Sequence, residues 1–87
     1  MPKLSPIRAK DLIRILNKIG FSQVRQKGGH KRFEHTDGRK TTVPVHPGEA
    51  IGVGLLRKIL RDIQLTPEEF NKINNSLFSM HADKRQS

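Results

Sequence analysis

Lys27-Gly28-Gly29-His30-Lys31-Arg32-Phe33-Glu34-His35 sets two glycines between runs that alternate polar and apolar side chains. Such a pair reads as a tight hairpin turn of type I′, because both central residues of that turn take positive φ, which glycine does without a Cβ clash. A strand then begins at His30. Alternation puts His30, Arg32 and Glu34 on one face and Lys31, Phe33 and His35 on the other. Phe33 is the natural core residue, so His30 faces outward.

Working outward, Phe21 to Lys27 and His30 to Thr36 are the arms of the hairpin. A two-residue loop pairs Lys27 with His30, Arg25 with Arg32 and Val24 with Phe33, and that last apolar match supports the register. Lys27, Arg25 and Arg32 then share the face of His30. Asp37-Gly38 makes the next turn and Lys40 to His46 a third strand, with Val43 and Val45 inward and Thr42, Pro44 and His46 outward. Pro44 has no N–H to give to a ladder, so this strand is an edge. Matching Phe33 to Val43 places His46 directly opposite His30, where Cβ atoms are roughly 4.5–5.5 Å apart.

Helices flank the strands. Ser5-Pro6 supplies a cap and a first-turn proline, and Ala9, Leu12, Ile13, Leu16 and Ile19 recur at helical spacing until Gly20, which predicts a helix over about 6–19. Lys10, Arg14 and Lys18 form a basic stripe on its other side, a solvated face or a phosphate track. A second helix starts near 49–52, with Leu55, Leu56, Ile59, Leu60 and Ile63 inward and Arg57, Lys58 and Arg61 off that stripe. Leu65-Thr66-Pro67-Glu68-Glu69-Phe70 reads as a helix start with Thr66 as cap, Glu69 closing a capping box and Leu65 stapled to Phe70. That third helix is expected to be short, ending near Asn74. The order is α-β-β-β-α, an α+β fold with a three-stranded antiparallel sheet, helices on one face and a short C-terminal helix. Residues 1–75 form the domain and 76–87, with His81, a flexible tail.

Eighty-seven residues make one domain with a thin core, so a substrate is held at the surface. Lys+Arg 17 against Asp+Glu 8 gives a net charge of +9, which points to a polyanion and above all to nucleic acid. No apolar run approaches the roughly 18 residues of a membrane span, and no signal peptide is visible; the expected location is cytoplasmic and no membrane partner is expected. Without cysteine there is no disulfide, thiolate nucleophile or zinc ribbon.

Four histidines are left as groups that titrate near neutrality. No carboxylate cluster surrounds His30, so neither a metal nor another cofactor is expected there. RNA carries its own nucleophile in the 2′-OH, and an imidazole acting as general base contributes on the order of 10²–10⁴-fold. Lys27 and Arg32 can stabilise the phosphoryl charge. DNA lacks the 2′-OH, so this chemistry selects RNA. Glu34 can orient His30 or pair with Arg32, and the ion pair is the expected role; His35, on the face of Phe33, is expected to be structural. For His46 two roles stand: a second catalytic group beside His30, or a brace for the turn into the second helix.

Lys27-Gly28-Gly29-His30, preceded by Gly20-Phe21 and followed by Val43-Pro44-Val45-His46-Pro47, resembles the HicA toxins over about residues 7–74. The resemblance implies a double-stranded RNA-binding-domain-like fold, an mRNA interferase that cleaves mRNA with one histidine, and silencing by a HicB-like antitoxin. The family histidine maps onto His30; it follows Gly-Ser in most members, whereas here Gly29 holds the serine position. Gly28 and Gly29 then form the turn that positions the catalytic residue. Gly52-Val53-Gly54-Leu55-Leu56-Arg57-Lys58-Ile59-Leu60-Arg61 is similar to the segment by which double-stranded RNA-binding domains set basic residues against phosphates, which adds Arg57, Lys58 and Arg61 to Arg25, Lys27 and Arg32 as RNA-binding candidates; helix packing is an equal reading of its glycines. Two other readings stand beside the toxin: a non-catalytic double-stranded RNA-binding module using the second helix, and a DNA-binding helix-turn-helix regulator, which the acidic start of the third helix disfavours.

Overall fold

The Gly28-Gly29 turn joins strand β2 (Ser22–Lys27) to β3 (His30–Glu34) in a computed structural model that describes residues 3–86 and the side chains of residues 3–77. Ahead of that hairpin come β1 (Ile7–Arg8) and α1 (Ala9–Lys18). After it follow β4 (Lys40–Pro44), β5 (Ala50–Ile51), α2 (Val53–Asp62) and α3 (Pro67–Gln86). Strands β2, β3 and β4 form an antiparallel meander in that order, as predicted, with β4 at an edge as Pro44 requires.

At the first turn Lys27 pairs with His30 and Arg25 with Arg32, as expected. Only Gly28 takes a positive φ, 58°, so the turn follows type II′, which needs one left-handed residue, and not type I′, which needs two. The predicted pairing of Val24 with Phe33 does not form. Gln23 faces Phe33, a β-bulge sits between Gln23 and Arg25, and Val24 is the extra residue, 52% exposed. Edge strand β2 is exposed along its whole length, so no core surface exists there to bury Val24.

The second hairpin also departs from expectation. Phe33 pairs with Thr41, Lys31 with Val43 and His30 with Pro44, so His46 does not lie opposite His30 in the ladder. A three-residue loop, Thr36-Asp37-Gly38, sets this register: the His35 N–H donates to the Arg39 carbonyl at 2.9 Å, and Gly38 takes φ 100°. Asp37 braces the loop by accepting from the Arg39 N–H at 3.1 Å and from Arg39 Nε at 2.8 Å. That backbone donor first, and the guanidinium with it, holds the Asp37 carboxyl below the usual carboxylate range. Thr41 is buried opposite Phe33 because its hydroxyl donates to Asp62 Oδ2 at 3.0 Å, across on α2.

Both α1 and α2 pack on the face of the meander that carries Phe33 and Val43, with Leu12, Ile15 and Leu16 from one helix and Leu56, Ile59 and Leu60 from the other fully inside. Helix α1 begins at Ala9 and not near residue 6, since Ile7 and Arg8 pair with Ile51 and Ala50. The same ladder delays α2 to Val53, capped by Gly52. This two-residue sheet escaped the sequence reading because so short a ladder leaves no periodic pattern. The Thr66 box closes as predicted: the Thr66 N–H donates to Glu69 Oε1 at 2.9 Å and the Glu69 N–H to Thr66 Oγ1 at 3.1 Å. From there α3 runs on to Gln86, past the expected end at Asn74, with neither Gly nor Pro after Pro67 to stop it. Among the side chains expected in the tail, that of His81 lies outside those described.

Candidate active site

The helices leave one face of the meander uncovered, and on it the register brings five side chains to one shallow hollow. Arg25 and Lys27 come from β2, His30 and Arg32 from β3, and Thr42 from β4. Each is placed by a direct neighbour: Lys27 beside His30, Arg25 beside Arg32, and Arg32 beside Thr42. Four of the five are candidates named from the sequence; Thr42 is the addition. Its signal was present but misread, because only the three-residue loop sets it beside Arg32.

His30, Arg25, Lys27 and Arg32 are exposed, so an extended anion reaches them without any rearrangement. Glu34 pairs with Arg32 as expected, Oε2 to Nε at 3.7 Å, with side-chain exposures of 39% and 44%. An open pair of that kind is worth about 0–1 kcal/mol. Arg32 can therefore exchange Glu34 for a phosphate at small cost.

The chain leaves the ladder after Pro44 but stays against the glycine turn. The Val45 N–H donates to the Gly29 carbonyl at 2.6 Å, and the His46 ring stands edge-on to that of His30, with centroids 6.3 Å apart and planes at 85°. The two imidazoles are thus brought together, though by a loop contact and not by cross-strand pairing. A Cβ built on Gly29 would lie 3.0 Å from His46 Cε1 and 3.3 Å from both His46 Nδ1 and the Val45 carbonyl oxygen. His46 also lines a second hollow with Arg8, Lys10 and Glu49.

His35 does not join this group. Its ring packs edge-on against Phe21 at 5.1 Å, and Nδ1 accepts the Asp37 N–H at 3.1 Å, a structural role as the sequence indicated. Arg57, Lys58 and Arg61 are also apart from His30. They are exposed on the outward side of α2, whose inner side packs on the opposite face of the sheet, and Lys58 Nζ donates to Asp62 Oδ2 at 3.3 Å. Among the described residues no group of three or more His, Cys, Asp and Glu side chains is placed to hold a metal ion.

These features define a small α+β protein with a basic, uncovered sheet face centred on a histidine. The family profile described as the HicA toxin of bacterial toxin-antitoxin systems matches residues 9–65, from the first residue of α1 to just beyond α2, and the chain belongs to that family. No curated protein matches it. Membership in a toxin-antitoxin family implies a cognate antitoxin as partner. Among the described residues no helix is long and apolar enough to cross a membrane.

Proposed function

We propose that this HicA toxin is a metal-independent endoribonuclease that cleaves mRNA in the cytoplasm, with His30 as general acid/base, and that a HicB-like antitoxin silences it by covering the His30 face. The convergence of Arg25, Lys27, His30 and Arg32 in one hollow on the uncovered face carries this reading. The cations hold the phosphate backbone and offset the charge that grows on the phosphoryl oxygens. His30 takes the proton of the 2′-OH, which supplies the nucleophile. An acidic antitoxin surface would be steered to the same cations, and faster at low salt.

Purified protein incubated with single-stranded RNA, duplex RNA and DNA, with and without EDTA, tests the proposal. RNA alone is expected to be cut, EDTA to change nothing, and His30→Ala to lose cleavage while keeping its melting temperature, because an exposed side chain contributes little packing. Full cleavage by a folded His30→Ala protein would overturn the assignment. A non-catalytic double-stranded RNA-binding module is the second reading, favoured by the separate exposed cations Arg57 and Arg61 on α2. It expects tight duplex binding with no cleavage at all.

A further inference from the structure

Glycine at position 29 is not explained by the turn it belongs to. Of the pair, Gly28 alone has the left-handed φ that favours glycine, and Gly29 lies outside that region. What position 29 does require is room. Its hypothetical Cβ would be 3.0 Å from His46 Cε1, a closer approach than an ordinary van der Waals contact of about 3.5–4.0 Å. A methyl group there would press the His46 ring back by a few tenths of an ångström, away from its present place against the turn and beside His30. The Val45 N–H to Gly29 carbonyl bond fixes the same approach through the backbone. Two independent features of the turn therefore hold an exposed imidazole next to the one that lines the cationic hollow.

We infer that His46 is a second catalytic residue, the general acid that protonates the leaving oxygen, and that Gly29 is its positioning residue. The inference rests on the ribonuclease reading above. In-line attack puts the entering and departing oxygens on opposite sides of phosphorus, and each proton-transfer group must be about 2.6–3.2 Å from its oxygen. Rings with centroids 6.3 Å apart can bracket one phosphoryl group in that way. The step balances as follows. The 2′ oxygen bonds to phosphorus while its proton passes to His30. The bond from phosphorus to the 5′ oxygen breaks, its electron pair leaves on that oxygen, and the proton of the His46 imidazolium completes a free 5′-hydroxyl. The other product is a 2′,3′-cyclic phosphate. The charged groups that share a hollow with one of the two imidazoles are Arg25, Lys27 and Arg32 with His30, and Arg8, Lys10 and Glu49 with His46.

Single-turnover cleavage of a short RNA is measured for wild type, His30→Ala, His46→Ala and Gly29→Ala, together with thermal melts. A second substrate carries sulfur in place of the bridging 5′ oxygen at the cleavage site, a leaving group that needs no proton. With normal RNA, His46→Ala is expected to cut at least 10²-fold more slowly and to lose the fall in rate at high pH that an essential acid imposes. With the sulfur substrate it is expected to approach the wild-type rate. Gly29→Ala, which puts no strain on φ, is expected to be slower than wild type and to add nothing in the His46→Ala background. A His46→Ala protein that cuts normal RNA at the wild-type rate, or is as slow on the sulfur substrate as on normal RNA, overturns the inference. Should His46→Ala prove unstable, His46→Asn takes its place: a wild-type rate on normal RNA overturns the inference, and a loss restored by sulfur supports it. Failure of the ribonuclease reading is distinct, since then wild type cuts neither substrate, or His30→Ala cuts as fast as wild type.

Discussion

If the ribonuclease reading holds, neutralising single cations shows which layer of the protein the RNA crosses. Binding of a single strand releases counterions, and log K falls against log salt with a slope of about −0.7 per phosphate held. The hollow around His30 contains three cations, Arg25, Lys27 and Arg32. With one phosphate each, the slope is about −2, and affinity drops roughly 20-fold between 50 and 200 mM salt. Lys27→Gln should bring the slope to about −1.4 and the drop to roughly sevenfold. Arg57→Gln and Arg61→Gln, on the outward side of α2, should leave the slope near −2. The assay is fluorescence anisotropy of a labelled single-stranded RNA across a salt series, in a His30→Ala background so that the probe survives. If the α2 substitutions flatten the slope while Lys27→Gln does not, the RNA lies on the helix layer, and the argument from the sheet face fails.

Two further outcomes follow from packing and capping. Phe33→Ala should cost about 3–5 kcal/mol, whereas Val24→Ala, at the exposed bulge, should stay within about 0.5 kcal/mol; urea melts that reverse this order would refute the bulged register. At the start of α3, Thr66→Ala should cost about 1 kcal/mol. The Thr66 N–H first, and its hydroxyl with it, hold the Glu69 carboxyl below its ordinary range, so the charge on Glu69 stabilises the fold above the unfolded-state pKa and that contribution is lost as pH falls through the folded one. Wild type should therefore exceed Glu69→Gln in melting temperature at neutral pH and converge with it in acid; a gap that widens in acid would contradict the capping box.

The meander and the place of its first turn, though not the turn type, were legible because Gly-Gly, Asp-Gly and the alternation around Phe33 are local signals. So was the sharing of one face by His30, Arg25, Lys27 and Arg32, which needs only the parity of the first hairpin. The second register was not legible. Apolar matching favours Val43 opposite Phe33, but the three-residue loop puts Thr41 there, and Asp62 on α2 satisfies its hydroxyl, a partner that no local pattern announces. The closeness of His46 to His30 was expected from the wrong cause: the expected ladder pairing is absent, and a loop contact over a glycine supplies the same neighbour. Val24 went astray for a related reason, since alternation marks an apolar residue as inward even where the strand lies beyond the reach of the helices.

The extra residue at Val24 also bears on how the free protein resists aggregation. Strand β2 is an open edge of the meander, and an open edge offers its unpaired N–H and C=O groups to any passing strand. The bulge interrupts that row and twists it. On the side toward the turn, Arg25 and Lys27 would meet their own like charges if a second copy approached edge to edge. Arg25 and Lys27, which line the hollow of His30, thus also disfavour edge-to-edge pairing of two copies through β2.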